Sequence, residues 1–241
     1  MPAVICAYKR SPFTLANKGE LAAVRPDDIA AQLVQGLLKE TGLDPAKIDE
    51  LILGTAFPEG EQGFNLGRML VLQAGLPNTV SGATINRWCG SSMESIHMAA
   101  GKIATGSGKI FLCVGVESMT RIPMGGFNPM PNPDLYTRMP EAYMGMGDTA
   151  EIVAAQKGVS RKEMEEFALS SHQKAAKANL SAEIVPITRE DGGVVSKDGT
   201  IRADSSLEKM ATLAPAFKAD GLVTAATSSP LTDGASAVLV C

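Results

Sequence analysis

The stretch Thr84-Ile85-Asn86-Arg87-Trp88-Cys89-Gly90-Ser91-Ser92 marks the point where a buried strand gives way to a helix. Apolar residues predict a strand over 82–86, and a sharp turn is expected at Cys89-Gly90. A helix should follow, because apolar residues recur at spacings of three and four: Met93, Ile96, Ala100 and Ile103. A cysteine in the first turn of a helix faces unpaired N–H groups and the positive end of the helix dipole, which favour the thiolate. The pattern indicates a nucleophile at Cys89, although a buried cysteine that only fills space fits it too.

Composition predicts a soluble globular chain with room for a sizeable core. The 241 residues are 45% hydrophobic and 20% charged, which suits one large domain or two small ones. A formal net charge of −4 argues against nucleic acid and against a membrane surface as the main partner. Apolar runs stay well short of a membrane span, and the N terminus enters a strand-like pattern without a signal peptide.

Four cysteines are scattered along the chain without a C-x-x-C pair: Cys6, Cys89, Cys113 and Cys241. This spacing predicts neither a metal site nor a disulfide framework. Unpaired cysteines are typical of a reducing compartment, so a cytoplasmic location is expected.

Strands and helices are predicted to alternate over the first half of the chain. Strands are expected at 3–8, 51–56, 82–86 and 109–117. Helices are expected from Pro26 to Gly42, over 66–73 and after Cys89. Such alternation predicts an α/β layer structure with parallel pairing, and the continuous apolar run at 109–117 is typical of a sheet covered on both faces.

The sequence changes character after Glu117. Residues 118–147 contain six methionines and five prolines, which favours a binding excursion over a linker. The alternative is that the methionines merely pack this segment onto the core. Further on, Ser160 and Glu163 form a capping box that predicts a helix over 160–178. Strands are expected at 183–187, 222–226 and 235–240.

Four segments, in this order and spacing, resemble the thiolase family, whose members cleave or form 3-ketoacyl-CoA thioesters: Ile85–Ser91, Gly115–Thr120, Met146–Glu151 and Val223–Ala235. The resemblance covers nearly the whole chain. Two further segments, Gly19–Asp28 and Pro58–Gly63, look most like the degradative 3-ketoacyl-CoA thiolases.

The resemblance implies an α/β fold of the thiolase-like layered type. It has a mixed, mostly parallel five-stranded sheet with helices on both faces and a loop-rich excursion. Residues 1–241 would form a thiolase N-terminal domain, with a core at 1–117 and 222–241. Residues 118–221 would form the substrate-binding excursion, and the C-terminal thiolase domain would be absent.

The resemblance also implies roles for individual residues. Cys89 matches the nucleophile that takes the acyl group as a thioester, Met146 a methionine lining the acyl pocket, and Ser229 a serine near the pantetheine arm of CoA. Coenzyme A is a substrate rather than a cofactor in this family, so no cofactor is expected. Asn86 and Glu117 are interpreted as structural, as a turn-satisfying amide and a carboxylate that anchors the loop region.

Three positions depart from the family pattern. Ala214 stands where many members have an arginine next to the CoA adenine, Gly145 where relatives have a histidine, and Thr227 where they have an asparagine. The departures concern CoA contacts and chain-length preference, not the class of reaction.

The second half of a thiolase supplies a histidine base, an oxyanion hole and an acid/base cysteine, and the resemblance ends at Cys241, before them. Neither histidine of this chain replaces that base. His97 lies eight residues beyond Cys89, roughly 12 Å along a helix, and His172 lies in the middle of the 160–178 helix. The chain alone is therefore expected to be inactive. Its expected partners are CoA thioesters, the missing half if the enzyme is split, and further copies in a homo-oligomer.

Two other functions remain open at this point. One is a biosynthetic acetoacetyl-CoA thiolase, which the segment Pro58-Glu59-Gly60-Glu61 argues against. The other is a non-catalytic thiolase-like domain that binds an acyl-CoA or a protein partner, although such a module has no need for a reactive thiol.

Overall fold

The computed structural model describes residues 2–241. Its strands are β1 (Ile5–Arg10), β2 (Thr14–Leu15), β3 (Glu50–Gly54), β4 (Ser81–Ile85), β5 (Phe111–Ser118), β6 (Ile187–Thr188), β7 (Val194–Val195) and β8 (Thr232–Val240). Its α-helices are α1 (Pro26–Thr41), α2 (Leu66–Gln73), α3 (Ser91–Ala104), α4 (Pro133–Arg138), α5 (Met146–Lys157), α6 (Arg161–Lys177) and α7 (Leu207–Ala211).

The central sheet has the strand order β1-β8-β5-β3-β4, with the short β2 added to β8. Strands β5, β3 and β4 pair in parallel, whereas β8 pairs antiparallel with both β1 and β5. Strand β8 therefore runs against the other four strands of the main path. This mixed, mostly parallel sheet confirms the fold class expected from the sequence.

Helices cover both faces of the sheet. Alternate residues of a strand point to opposite faces, so Leu51 and Leu53 of β3 join the cluster of α1 and α2, whereas Ile52 joins the cluster of α3. Helix α1 begins at Pro26, where a missing N–H costs nothing, and is capped after Thr41 by Gly42, whose φ of 64° is left-handed. The sheet is therefore buried between two helical layers, which explains its continuous apolar strands.

The chain divides into two compact units. Among the described residues, the first contains 2–128, 180–200 and 231–241, and the second contains 129–179 and 201–230. Segments 118–128 and 180–200, which the sequence placed in the excursion, thus pack within the first unit. The β6–β7 hairpin shows why, because Ile187 and Val195 are buried in the cluster of α1.

Two of the predicted strands are wrong. The segment at 183–187 begins on the last residue of a 3₁₀ turn, Ser181–Glu183, and only its last residue, Ile187, lies in a short strand. The segment at 222–226 leads into a 3₁₀ turn at Ala225–Thr227. There the N–H groups of Leu222 and Val223 donate to the carboxylate of Glu151 instead of a strand.

The expectation of four unpaired cysteines is also wrong. Cys6 and Cys241 form a disulfide, with their Cα atoms 6.5 Å apart. Spacing could not reveal this pair, because β1 and β8 become neighbours only in the folded sheet. Within residues 2–241 the helices are too short or too polar to cross a membrane.

Candidate active site

Cys89 lies in the turn between β4 and α3, and its thiol is exposed and free. Helix α3 begins at Ser91 with Gly90 as its N-cap, so Cys89 precedes the cap by one residue instead of lying in the first turn. No side chain within residues 2–241 caps this helix end. The Ser91 N–H is already used, since it donates to the Trp88 carbonyl at 3.0 Å, but the positive end of the α3 dipole still favours an anion near this turn.

Trp88, the residue before Cys89, has a φ of 49°. A bulky residue in the left-handed region is strained by about 1–3 kcal/mol and persists only where its surroundings hold it. The Trp88 N–H donates to Asn86 Oδ1 at 2.9 Å, and Ser91 Oγ donates to the Trp88 carbonyl at 2.6 Å. The indole ring packs edge-on against Phe57, with ring centroids 5.4 Å apart. The turn is thus held in one conformation.

Ser91 fastens the turn to the sheet. Its side chain is buried, and its Oγ accepts from the Arg87 N–H at 2.8 Å. The same hydroxyl lies 3.4 Å from the carbonyl of Thr55, just after β3. Asn86 adds a second link, since its Nδ2 donates to the Ala56 carbonyl at 2.9 Å. Asn86 thus satisfies the turn as the sequence suggested.

Two glycines allow the first turn of α3 to lie directly on the sheet. A Cβ at Gly54 of β3 would lie 2.3 Å from the carbonyl carbon of Ser91, and one at Gly115 of β5 would lie 2.5 Å from Ser92 Cβ. Sequence reasoning missed this pair, because the two glycines become neighbours only through the register of β3 and β5.

Glu117 has a different role from the one expected. Its carboxylate binds residues 55–56, which follow β3, instead of anchoring the loop region after β5. Gln62, which is fully buried, shares this cluster. Sequence reasoning did not single out Gln62, although a polar side chain beside a buried strand end is a recognisable signal.

The charged neighbours of the Cys89 turn lie on α3. Arg87 Nη1 is 2.5 Å from Glu94 Oε2, and His97 Nδ1 is 3.6 Å from the same oxygen. His172 lies on α6 in the second unit, where its Nδ1 accepts from the Arg202 N–H. Each histidine thus contacts a group other than Cys89, and neither contact indicates a role as the base for its thiol.

Met146 and Ser229 belong to the second unit, and both are exposed. Met146 begins α5, and Glu151 of this helix accepts from the backbone N–H groups of Leu222 and Val223 at 2.9 and 2.8 Å. Glu151 thereby ties the Met146 helix to the segment that leads to Ser229.

All three family departures, Ala214 included, also lie in this unit. Thr227 accepts from the Thr224 N–H at 3.0 Å, so its hydroxyl is used in a local turn. Gly145 is the N-cap of α5. Thr227 therefore stabilises a local turn, and Gly145 lies at the start of a helix.

The second free cysteine contrasts with Cys89. Cys113 of β5 is buried, and this burial raises the pKa of its thiol from 9.0 to about 11, although a hydrogen bond to Ser95 opposes the shift. Thiolate is the reactive form of cysteine, so Cys113 is inert near neutral pH.

The model of the thiolase N-terminal domain matches residues 3–241. The chain belongs to the thiolase family. It is 44% identical to the 3-ketoacyl-CoA thiolase of Bacillus subtilis, over 99% of this chain and 65% of that protein. It is 43% identical to the 3-ketoacyl-CoA thiolase of Saccharophagus degradans, over 98% of this chain and 63% of that protein.

The fold of this thiolase-family chain matches that of a solved structure, the dimeric peroxisomal thiolase of Saccharomyces cerevisiae. The match has a TM-score of 0.92 at 30% identity and covers 100% of this chain and 64% of that one. The chain therefore spans slightly less than two thirds of these relatives and corresponds to their N-terminal part. This confirms the family and the fold that the sequence motifs indicated.

Proposed function

We propose that this chain is the nucleophile-bearing part of an acyl-CoA acyltransferase of the thiolase type. The whole enzyme would cleave a 3-ketoacyl-CoA into acetyl-CoA and a shortened acyl-CoA, as in fatty-acid β-oxidation. One observation carries the proposal, namely the free, exposed thiol of Cys89 in a strained turn at the start of α3. The names of the relatives, 3-ketoacyl-CoA thiolases, support the substrate class.

The proposed reaction has two acyl-transfer steps. The Cys89 thiolate attacks the 3-keto carbon, the bond between C2 and C3 breaks, and the acetyl-CoA enolate leaves and takes a proton. The acyl group is then held as a thioester on Sγ. In the second step the thiolate of free CoA attacks this thioester, releases the shortened acyl-CoA and returns Cys89 as thiolate.

Both steps need groups beyond the Cys89 turn. The enolate must be protonated and CoA deprotonated, and losing an oxyanion-hole donor alone costs about 10²–10³ in rate. We assign these tasks to the C-terminal thiolase half, so residues 1–241 alone should not turn over. We assign contacts with the acyl chain and the pantetheine arm to Met146 and Ser229.

Acylation of Cys89 tests the first assignment. The chain is incubated with acetyl-CoA, and intact and peptide masses are recorded. We expect one acetyl group on the peptide that contains Cys89, and none in the Cys89→Ala variant. An unmodified Cys89 at high acetyl-CoA concentration, in a chain that folds normally, would contradict the proposal.

Turnover tests the second assignment. Acetoacetyl-CoA and longer 3-ketoacyl-CoA substrates are mixed with free CoA, and loss of substrate is followed with and without an added C-terminal thiolase half. We expect cleavage only when both halves are present. Efficient cleavage by residues 1–241 alone would refute the division of labour, and a strict preference for acetoacetyl-CoA would favour the biosynthetic direction.

Assembly and compartment complete the proposal. One relative is described as a dimeric thiolase, which supports a homo-oligomer here. We propose the cytoplasm as the compartment, where the free Cys89 stays reduced and the Cys6–Cys241 pair would be held as thiols. Light scattering of the purified chain and fractionation of the source cells test these two points.

A further inference from the structure

A polar cluster joins the ends of β3 and β5 next to the Cys89 turn, and the Glu117 carboxylate lies at its centre. Glu117 Oε1 accepts from Gln62 Nε2 at 2.6 Å and from Thr55 Oγ1 at 3.1 Å. Glu117 Oε2 accepts from the Ala56 N–H at 2.7 Å. Every partner is a donor, so the site suits a side chain that presents an acceptor at both oxygens, as a carboxylate does.

The amide of Gln62 completes the cluster. Gln62 is fully buried, and its Nε2 also lies 2.9 Å from both the Phe57 carbonyl and Thr55 Oγ1. On its other side, Gln62 Oε1 accepts from the Ser118 N–H at 2.8 Å. Glu117 and Gln62 together therefore fasten the segment 55–57 to the end of β5.

The segment 55–57 in turn holds the Cys89 turn through each of its three residues. The Thr55 carbonyl lies 3.4 Å from Ser91 Oγ. The Ala56 carbonyl accepts from Asn86 Nδ2 at 2.9 Å. The Phe57 ring packs against the ring of Trp88, the strained residue next to Cys89. The anchors of the turn thus converge on a segment whose own position depends on Glu117.

We propose that Glu117, supported by Gln62, is a positioning residue for the Cys89 nucleophile. This inference rests on the proposed role of Cys89 and adds a residue that acts on it through 55–57. Without the carboxylate, the Ala56 N–H and the Thr55 hydroxyl lose a charged acceptor, and the segment that restrains Trp88 loosens. The strained turn then relaxes and moves Sγ away from the position needed for acyl transfer.

The substitution Glu117→Gln tests the inference, because it keeps size and shape but replaces one acceptor oxygen by a donor. The chain contains a single tryptophan, Trp88, so its fluorescence reports on the turn without a label. Three quantities are measured: acrylamide quenching of Trp88, the rate of Cys89 acylation by acetyl-CoA, and the rate of Cys89 alkylation by iodoacetamide.

We expect quenching of Trp88 to increase and acylation of Cys89 to slow by at least about tenfold, since a misplacement of about 1 Å costs up to about 10²-fold. Alkylation by the small reagent should change far less, because Cys89 is already exposed and needs no exact alignment with iodoacetamide. A residue that only stabilised the fold would not separate these two rates.

Glu50→Gln is the matched control. Glu50 begins β3, at the other end of the strand from Thr55, and its carboxylate binds Lys102 of α3 at 2.5 Å. The control removes one charge and one link between β3 and α3 but leaves 55–57 untouched. Its Trp88 quenching and Cys89 acylation should match the unsubstituted chain.

A second variant covers the case in which Glu117→Gln does not fold. Thr55→Val removes one donor to Glu117 at nearly constant volume, and it should shift the same quantities in the same direction by less. Unchanged quenching and acylation in a folded variant, together with a lower unfolding midpoint, would overturn the inference. If the unsubstituted chain is not acylated at all, the proposed function fails, and Trp88 quenching alone decides whether Glu117 positions the turn.

Discussion

Gly54 and Gly115 are register partners in neighbouring parallel strands, and both lie against the first turn of α3. The pair sets the distance between the sheet and the helix that follows Cys89. The position of the Cys89 turn, which leads into this helix, therefore depends on the absence of two side chains.

We predict that Gly54→Ala destabilises the chain and disturbs the Cys89 turn. The new Cβ would meet backbone atoms of Ser91 and Ser92, which cannot rotate away. Overpacking of this kind costs about 1–3 kcal/mol. Urea unfolding and the rate of Cys89 acylation measure the two effects. Gly101→Ala is the control, because a Cβ at this position in α3 meets nothing within 4 Å and should stabilise the helix by about 0.5–1 kcal/mol.

The two free thiols should differ in their dependence on pH. Iodoacetamide at neutral pH should label Cys89 and spare Cys113, whose pKa is raised to about 11 by burial. Peptide mass spectrometry across a pH series reads both sites. Equal labelling of the two cysteines at pH 7 would show that β5 opens far more readily than its burial implies.

The raised pKa of Cys113 also makes the stability of the chain depend on pH. The folded chain favours the protonated thiol, so this contribution is complete below the unfolded value of 9.0 and is lost as pH rises through about 11. At about 1.4 kcal/mol per pKa unit, the loss approaches about 3 kcal/mol. Unfolding midpoints of the chain and of Cys113→Ala, compared from pH 8 to 11, should converge as pH rises.

Reduction of the Cys6–Cys241 disulfide should lower the unfolding midpoint. The bond closes a loop with a sequence separation of 235, for which the chain-entropy model gives about 5 kcal/mol as an upper value. Thermal unfolding with and without dithiothreitol measures the effect. Cys6→Ser serves as the control, since this variant cannot form the disulfide and its unfolding midpoint should be the same with and without dithiothreitol. An identical midpoint for the oxidised and reduced chains would contradict the prediction.

Glu151→Gln should loosen the segment that leads to Ser229. The carboxylate accepts from the N–H groups of Leu222 and Val223, and an amide can accept from only one of them without turning a donor toward the other. Losing a charged acceptor costs about 1–3 kcal/mol locally. Amide hydrogen exchange at Leu222 and Val223 should therefore accelerate. Glu166→Gln is the control, because its carboxylate faces Lys162 at 3.7 Å on the exposed side of α6.

Local signals in the sequence were sufficient for the long elements. The proline and aspartates at the start of α1 and the capping box of Ser160 and Glu163 fixed two helices to within a residue or two. The same reasoning failed at 222–226. An apolar run forms a strand only where a neighbouring strand is available to pair with it. Here Glu151, distant in sequence, takes the N–H groups of that run.

The candidate site likewise has features that local sequence predicts and features that it does not. The turn at Cys89 could be predicted from a single stretch, since strand, glycine and helix follow one another directly, whereas the role proposed for Cys89 came from the family resemblance. Gln62 and the glycine pair could not, because their contacts join segments that are far apart in the chain. Those contacts depend on strand register, which no local pattern specifies.

The position of β8 has a consequence for synthesis of the chain on the ribosome. Residues 232–240 insert between β1 and β5, so the first strand gains its neighbour only after nearly all of these residues have been translated. Until then, the nascent polypeptide carries β1 and one side of β5 as unpaired edges. Such edges are prone to aggregation, and pairing across so long a sequence separation is slow. A chaperone that shields nascent strands would therefore protect β1 and β5 during the interval before β8 is made.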